Sequence, residues 1–157
     1  MKKVLMFMFL SLSVLFANET VFNSILKNVS IPNVNNAIKS AENLQSNINK
    51  ENFTKLVESW KKVEALYFAG DIDENYIDTP RYIDVYHNLK EDLSKQMQSV
   101  INSKDEANIA LFKNSFKTIN ALEYVLFNDN KITPREELLS KEIIKTIISD
   151  LSDIKEV

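Results

Sequence analysis

The stretch Thr118-Ile119-Asn120-Ala121-Leu122-Glu123-Tyr124-Val125-Leu126-Phe127 decides the fold of this chain. It holds neither glycine nor proline and suits a helix throughout. One acid, Glu123, lies inside a run that is otherwise apolar or neutral. An unpaired carboxylate in a protein core costs several kcal/mol unless a cation, a metal or a hydrogen-bond donor meets it. The expectation is therefore a packed helix with a polar companion waiting for Glu123.

Composition extends that reading to the rest of the chain. The 157 residues suffice for one domain with one core. A single glycine, three prolines and 45% hydrophobic residues describe helices with few tight turns, since hairpins need more glycine. No cysteine is present, which excludes disulfides, iron–sulfur clusters and thiolate zinc sites. With one histidine there is no H-E-x-x-H zinc motif and no serine–histidine–aspartate triad to defend.

The N-terminus reads as a leader for export. Lys2 and Lys3 precede an apolar stretch from Val4 to Phe16, and Ala17 is small enough for cleavage after it. The stretch is short of the roughly 20 residues that a membrane span needs, so residues 1–17 are read as a signal peptide and no stable membrane insertion is expected. Removing Lys2 and Lys3 takes the formal charge from −3 to −5. An acidic mature chain without a basic stripe is a poor partner for nucleic acid.

Residues 18–157 read as one helical domain. Val21, Phe22, Ile25, Leu26 and Val29 have helical spacing, and Pro32 is expected to interrupt that helix. Val34, Ala37, Ile38, Ala41, Leu44 and Ile48 form the next stripe. Phe53, Leu56, Val57, Trp60, Val63 and Tyr67 form another, which Gly70 is expected to close as a left-handed cap. In the acidic loop 71–78, Asp71, Asp73 and Asn75 match the first ligands of a calcium loop. Tyr76 and Tyr82 then stand where its glycine and bidentate glutamate belong, so a dedicated calcium site is not expected. Thr79 and Pro80 start a helix expected to run to Ile101, and another is expected from Glu106 to Phe127. Thr133-Pro134-Arg135-Glu136 is a capping box, followed by an apolar stripe from Leu138 to Ile154. These amphipathic helices are expected to pack together as an all-α, up-and-down helical bundle.

The Glu123 segment also resembles the imelysin-like family of exported bacterial proteins, whose signature is G-x-H-x-x-E or a G-L-P-A-L-E-Y-L-L-F-like run. Ala121, Leu122, Glu123, Tyr124, Leu126 and Phe127 fit it; Thr118 stands at the glycine and Asn120 at the histidine or proline. Trp60-Lys61-Lys62-Val63-Glu64, Pro80-Arg81-Tyr82-Ile83-Asp84-Val85-Tyr86 and Ile132-Thr133-Pro134-Arg135 echo the family's order more faintly. The resemblance implies an all-α fold of two bundles in chains about twice as long, of which this chain would supply the first. It also implies a role in periplasmic iron uptake or, as described for some members, metallopeptidase activity.

The resemblance makes Glu123 the centre of a metal site. Asn120 takes the place of the family's histidine, and Glu64 and His87 are secondary members. The competing reading of Glu123 is a structural acid paired with Arg81, Arg135 or a lysine, or a residue at a helix boundary. His87 is otherwise a surface histidine, and Trp60, Phe53, Phe112 and Phe116 are expected to fill the core. The functional expectation is an exported protein that binds iron or another divalent cation or meets an envelope partner. An imelysin-type metallopeptidase and a non-catalytic interaction module, or truncated remnant, are the alternatives.

Overall fold

The computed structural model of the chain describes residues 20–84, 91–129 and 131–157, and no strand occurs among them. The elements that matter are α1 (Ile31–Ser46), α2 (Lys50–Glu64), α3 (Ala69–Ile72), α4 (Thr79–Ile83), α5 (Leu93–Asn102), α6 (Ala107–Ala110), α7 (Ile119–Phe127) and α8 (Pro134–Glu156). The expected signal peptide and His87 lie outside the described residues.

Helix α1 is the hub, packing against both α2 and α8. It buries Val34, Ala37, Ala41 and Leu44, one face at helical spacing. The two alanines let neighbouring backbones come close. Asn33 near the start of α1 donates to the Lys62 carbonyl near the end of α2 at 3.4 Å, so the two helices are antiparallel. At the other end of α1, Gln45 donates to the Lys141 carbonyl early in α8, which makes that pair antiparallel as well. From α2 come Phe53, Leu56, Trp60 and Val63, and from α8 come Leu139, Ile143, Ile144, Ile147 and Leu151. Each such side chain contributes about 1.5–3 kcal/mol by leaving water. The chain is an all-α helical bundle.

Local start signals behave as their chemistry requires. Asn49 caps α2 by accepting the Asn52 amide at 2.8 Å, and Asp92 caps α5 by accepting the Lys95 amide at 3.0 Å. The capping box of α8 is complete. Thr133 Oγ1 accepts the Glu136 amide at 3.2 Å, and the Glu136 carboxylate accepts the Thr133 amide at 2.8 Å.

Four helix boundaries and caps differ from expectation, and so does Phe112, expected in the core but 72% exposed. Pro32 does not break the first helix: residues 20–25 run through a π-helical turn, Leu26–Ser30, straight into α1. The wider turn sends the Ile31 amide to the Leu26 carbonyl, which accommodates a proline that offers no proton. The helix expected from Glu106 to Phe127 is broken into α6, a 3-10 turn at Asn114–Lys117, and α7. The Thr118 hydroxyl is the reason for the last break, because it accepts the Ala121 amide at 3.2 Å and starts a new helix. The helix expected from Thr79 to Ile101 crosses residues 85–90, outside the described residues; on one side α4 ends at Ile83, and on the other Asp92 caps a fresh start. Gly70 has no positive φ and does not act as a left-handed cap. It allows close approach instead, since a Cβ there would stand 3.0 Å from the Ile77 Cα.

Candidate functional site

An open groove of about 410 Å³ lies between α2 and α7. Helix α2 supplies Phe53, Thr54, Val57 and Lys61, whose three- and four-residue spacing puts them along one side. Ile119, Asn120 and Glu123 come from the opening turns of α7, and Asp84 just past α4 closes one end. The helices are antiparallel here: Phe53 near the start of α2 meets Phe127 at the end of α7, ring edge to face at 5.2 Å. The Thr118 cap sets where α7 begins and thereby where Asn120 and Glu123 stand. The Asn120 amide donates to the Asp84 carbonyl at 3.4 Å, which ties α4 to that same helix start.

Lys61 organises the charge. Its ammonium donates to Asp84 Oδ2 and, at 2.9 Å, to Glu64 Oε2. The bond to Asp84 and then the one to Glu64 hold the Lys61 ammonium above the ordinary lysine range, against a smaller effect of burial. Asp84 is the sheltered partner, its side chain 16% exposed against 53% for Lys61. Two carboxylates, Glu64 and Asp84, thus share one ammonium, and the trio keeps an excess of negative charge.

Glu123 stands elsewhere than the apolar run suggests. It is exposed, while Ala121 and Leu122 beside it are fully buried. Ile119, Leu122, Val125 and Leu126 take the core side of α7. Asn120 and Phe127, three residues before and four after, share the outer stripe with Glu123. Among the described residues no hydrogen bond or ion pair reaches its carboxylate, and neither Arg81 nor Arg135 is its partner. The run reads as buried because Tyr124 and Phe127 carry apolar character around to the outer face.

The carboxylate that is buried is Glu136, 3% exposed. Burial alone pushes its carboxyl up, but the Thr133 amide, the Asn128 side-chain amide at 3.1 Å and the Thr133 hydroxyl outweigh it. The group is held below its ordinary value. Its role is to lock the start of α8 to the end of α7. The capping box was legible in the sequence; that its acid would be dry was not.

Of the expected site residues, the structure brings Glu123 and Asn120 to one groove and links Glu64 to it through Lys61. Lys61 and Asp84 are the members that sequence reasoning passed over as site residues. The signal for Lys61 was its place three residues before Glu64 on the same helix; Asp84 offered none, because it reaches the groove only through tertiary packing. Among the described residues no three histidine, cysteine, aspartate or glutamate side chains gather to hold a metal by themselves. No described helix is long and apolar enough to cross a membrane.

A protein-family model described as imelysin, peptidase M75, matches residues 32–156 and therefore spans the groove and every helix from α1 to α8. Comparison with curated proteins and with solved structures returned no match.

Proposed function

The chain belongs to the imelysin family, and from that premise we propose that it is an exported binding protein whose α2–α7 groove takes iron(II) or another divalent cation. The single observation that carries this reading is the Glu123 carboxylate, uncommitted among the described residues and lining the same groove as Asn120 and Asp84. Carboxylate and amide oxygens suit hard cations, and the donor set has no thiolate to favour soft ones. Glu123 supplies the charge, the Asn120 side-chain oxygen a neutral donor, and Asp84 a second carboxylate once Lys61 yields it. With so few protein donors, water completes the coordination, and the affinity is of the weak kind, on the order of 10⁻⁴–10⁻³ M. Export rests on the Lys2-Lys3 start and the apolar stretch from Val4 to Phe16.

Thermal unfolding of the chelator-stripped chain tests this with calcium, manganese(II) and iron(II) salts. Binding to the folded state raises Tm progressively with metal concentration, and Glu123→Gln removes the rise. An equal rise in both chains, or none in either, overturns the reading.

A further inference from the structure

Among the described residues that line the α2–α7 groove, Lys61 carries the one positive charge, and Asp84 and Glu123 carry the negative ones. The Lys61 ammonium donates to Asp84 Oδ2 inside the groove. It also donates, at 2.9 Å, to Glu64 Oε2. Glu64 lies one turn further along α2 and is not among the residues that line the groove. Asp84 is the more sheltered of these two acids, its side chain 16% exposed against 39% for Glu64. One ammonium is thus shared between a carboxylate inside the groove and a carboxylate outside it. A lysine ammonium keeps its proton throughout the neutral range, so at neutral pH only another cation frees Asp84.

We propose, building on the cation reading of the groove, that Lys61 is a tethered competitor. Its ammonium holds Asp84 until a divalent ion displaces it toward Glu64, and it thereby sets the ion concentration at which the groove fills. Displacement is easy for two reasons. The ammonium gives up one carboxylate while keeping another that it already touches, and a flexible stem makes the move without shifting α2. A half-exposed ion pair is also weak enough to break. A monovalent ion offers Asp84 no more charge than Lys61 already supplies. A divalent ion brings twice as much and is shared by Asp84 and Glu123, which line the same groove. Lys61 lends the ion no donor atom; it acts through Asp84. Held at Glu64 after the exchange, its charge still repels the ion and keeps the affinity modest.

Manganese(II) binding to the chelator-stripped chain, read from the loss of the free ion's paramagnetic resonance signal, tests the exchange. Lys61→Met is expected to bind manganese roughly fivefold to tenfold more tightly, because Asp84 is then unclaimed and one like charge is gone. Damage to the fold does not produce a gain in affinity. Lys61→Arg keeps the charge and is expected to bind no more tightly than the original. Lys62→Met removes the neighbouring lysine, which lines no part of the groove, and is expected to stay within about twofold of the original. That control separates displacement from a change in net charge. If Glu123→Gln abolishes binding but Lys61→Met fails to tighten it, the exchange is overturned and the groove stands as a cation site. Equal tightening in Lys61→Met and Lys62→Met, or tightening in Lys61→Arg, has the same meaning. Manganese binding by none of these chains, or binding that Glu123→Gln leaves unchanged, overturns the cation reading and the exchange with it.

Discussion

Lys61 of α2 and Asp84, the residue that ends α4, are joined by an ion pair that ties two helices far apart in sequence across one end of the groove. The pair is local chemistry with a tertiary consequence: it sets the spacing between α2 and the segment that anchors α7 through the Asn120 amide. Half-exposed pairs of this kind are worth little in energy, so its value lies in geometry.

Replacing Lys61 by Met is expected to cost about 0.5–1 kcal/mol at neutral pH, measured by urea unfolding. The sign of the pH dependence follows from the raised Lys61 value. A folded-state cation held above its unfolded value contributes fully below the unfolded pKa and loses that contribution as pH rises through the folded one. The stability difference between the original chain and Lys61→Met is therefore constant from pH 6 to 9 (roughly) and shrinks in strong alkali.

Glu136→Ala strips the capping box and leaves the Thr133 amide and the Asn128 side chain without their acceptor. A loss of about 1–3 kcal/mol is expected in equilibrium unfolding. Because the Glu136 carboxyl is held below its ordinary value of 4.5, its contribution is present above that value and disappears as pH falls through the folded one. The original chain and Glu136→Ala should converge in stability under acid, and parallel curves down to the lowest pH would contradict the assignment.

Asp150 on α8 shows the opposite sign. Burial first, and repulsion from Asp153 second, raise its carboxyl to about 6, with Lys117 pulling the other way. A carboxyl raised in the folded state destabilises the protein as pH climbs from the unfolded value through the folded one. Asp150→Asn should therefore be neutral near pH 4 (roughly) and more stable by about 1 kcal/mol above pH 7, a figure reduced for the water that still reaches the group. Tm measured across that range reads the difference directly.

Gly70→Ala is expected to destabilise by about 1–3 kcal/mol, although the φ at Gly70 permits any residue. The new Cβ would press on the Ile77 backbone at 3.0 Å, and a backbone atom inside a short, hydrogen-bonded turn has nowhere to go. Shortening Ile77 to Ala would relieve little of the cost, since the nearest atom is its Cα.

Much of this fold was readable from residue spacing. The stripes of α1, α2 and α8, the Thr–Pro start regions and the capping box all depend on neighbours within one helical turn, and those appear in the structure nearly as the spacing predicts. What spacing could not supply was competition between local signals. Thr118 and Asp92 are good caps embedded in sequences that also suit a continuing helix, and the caps prevailed. Pro32 looks like a stop, yet a widened turn carries the helix past it. The site was half legible for a related reason. Glu123 and Asn120 are a turn apart on one helix, so their shared face follows from periodicity. Whether that face is dry depends on what packs against it, and here it borders an open groove.

Manganese(II) added to the isotopically labelled, metal-free chain offers the sharpest test of the groove as a cation site, because a bound paramagnetic ion broadens nearby amide resonances. The account predicts that substoichiometric manganese erases the Asn120, Glu123 and Asp84 signals first, and that Glu123→Gln spares them. Broadening centred on the 71–78 loop or spread over all exposed carboxylates, with the groove resonances intact, would contradict it.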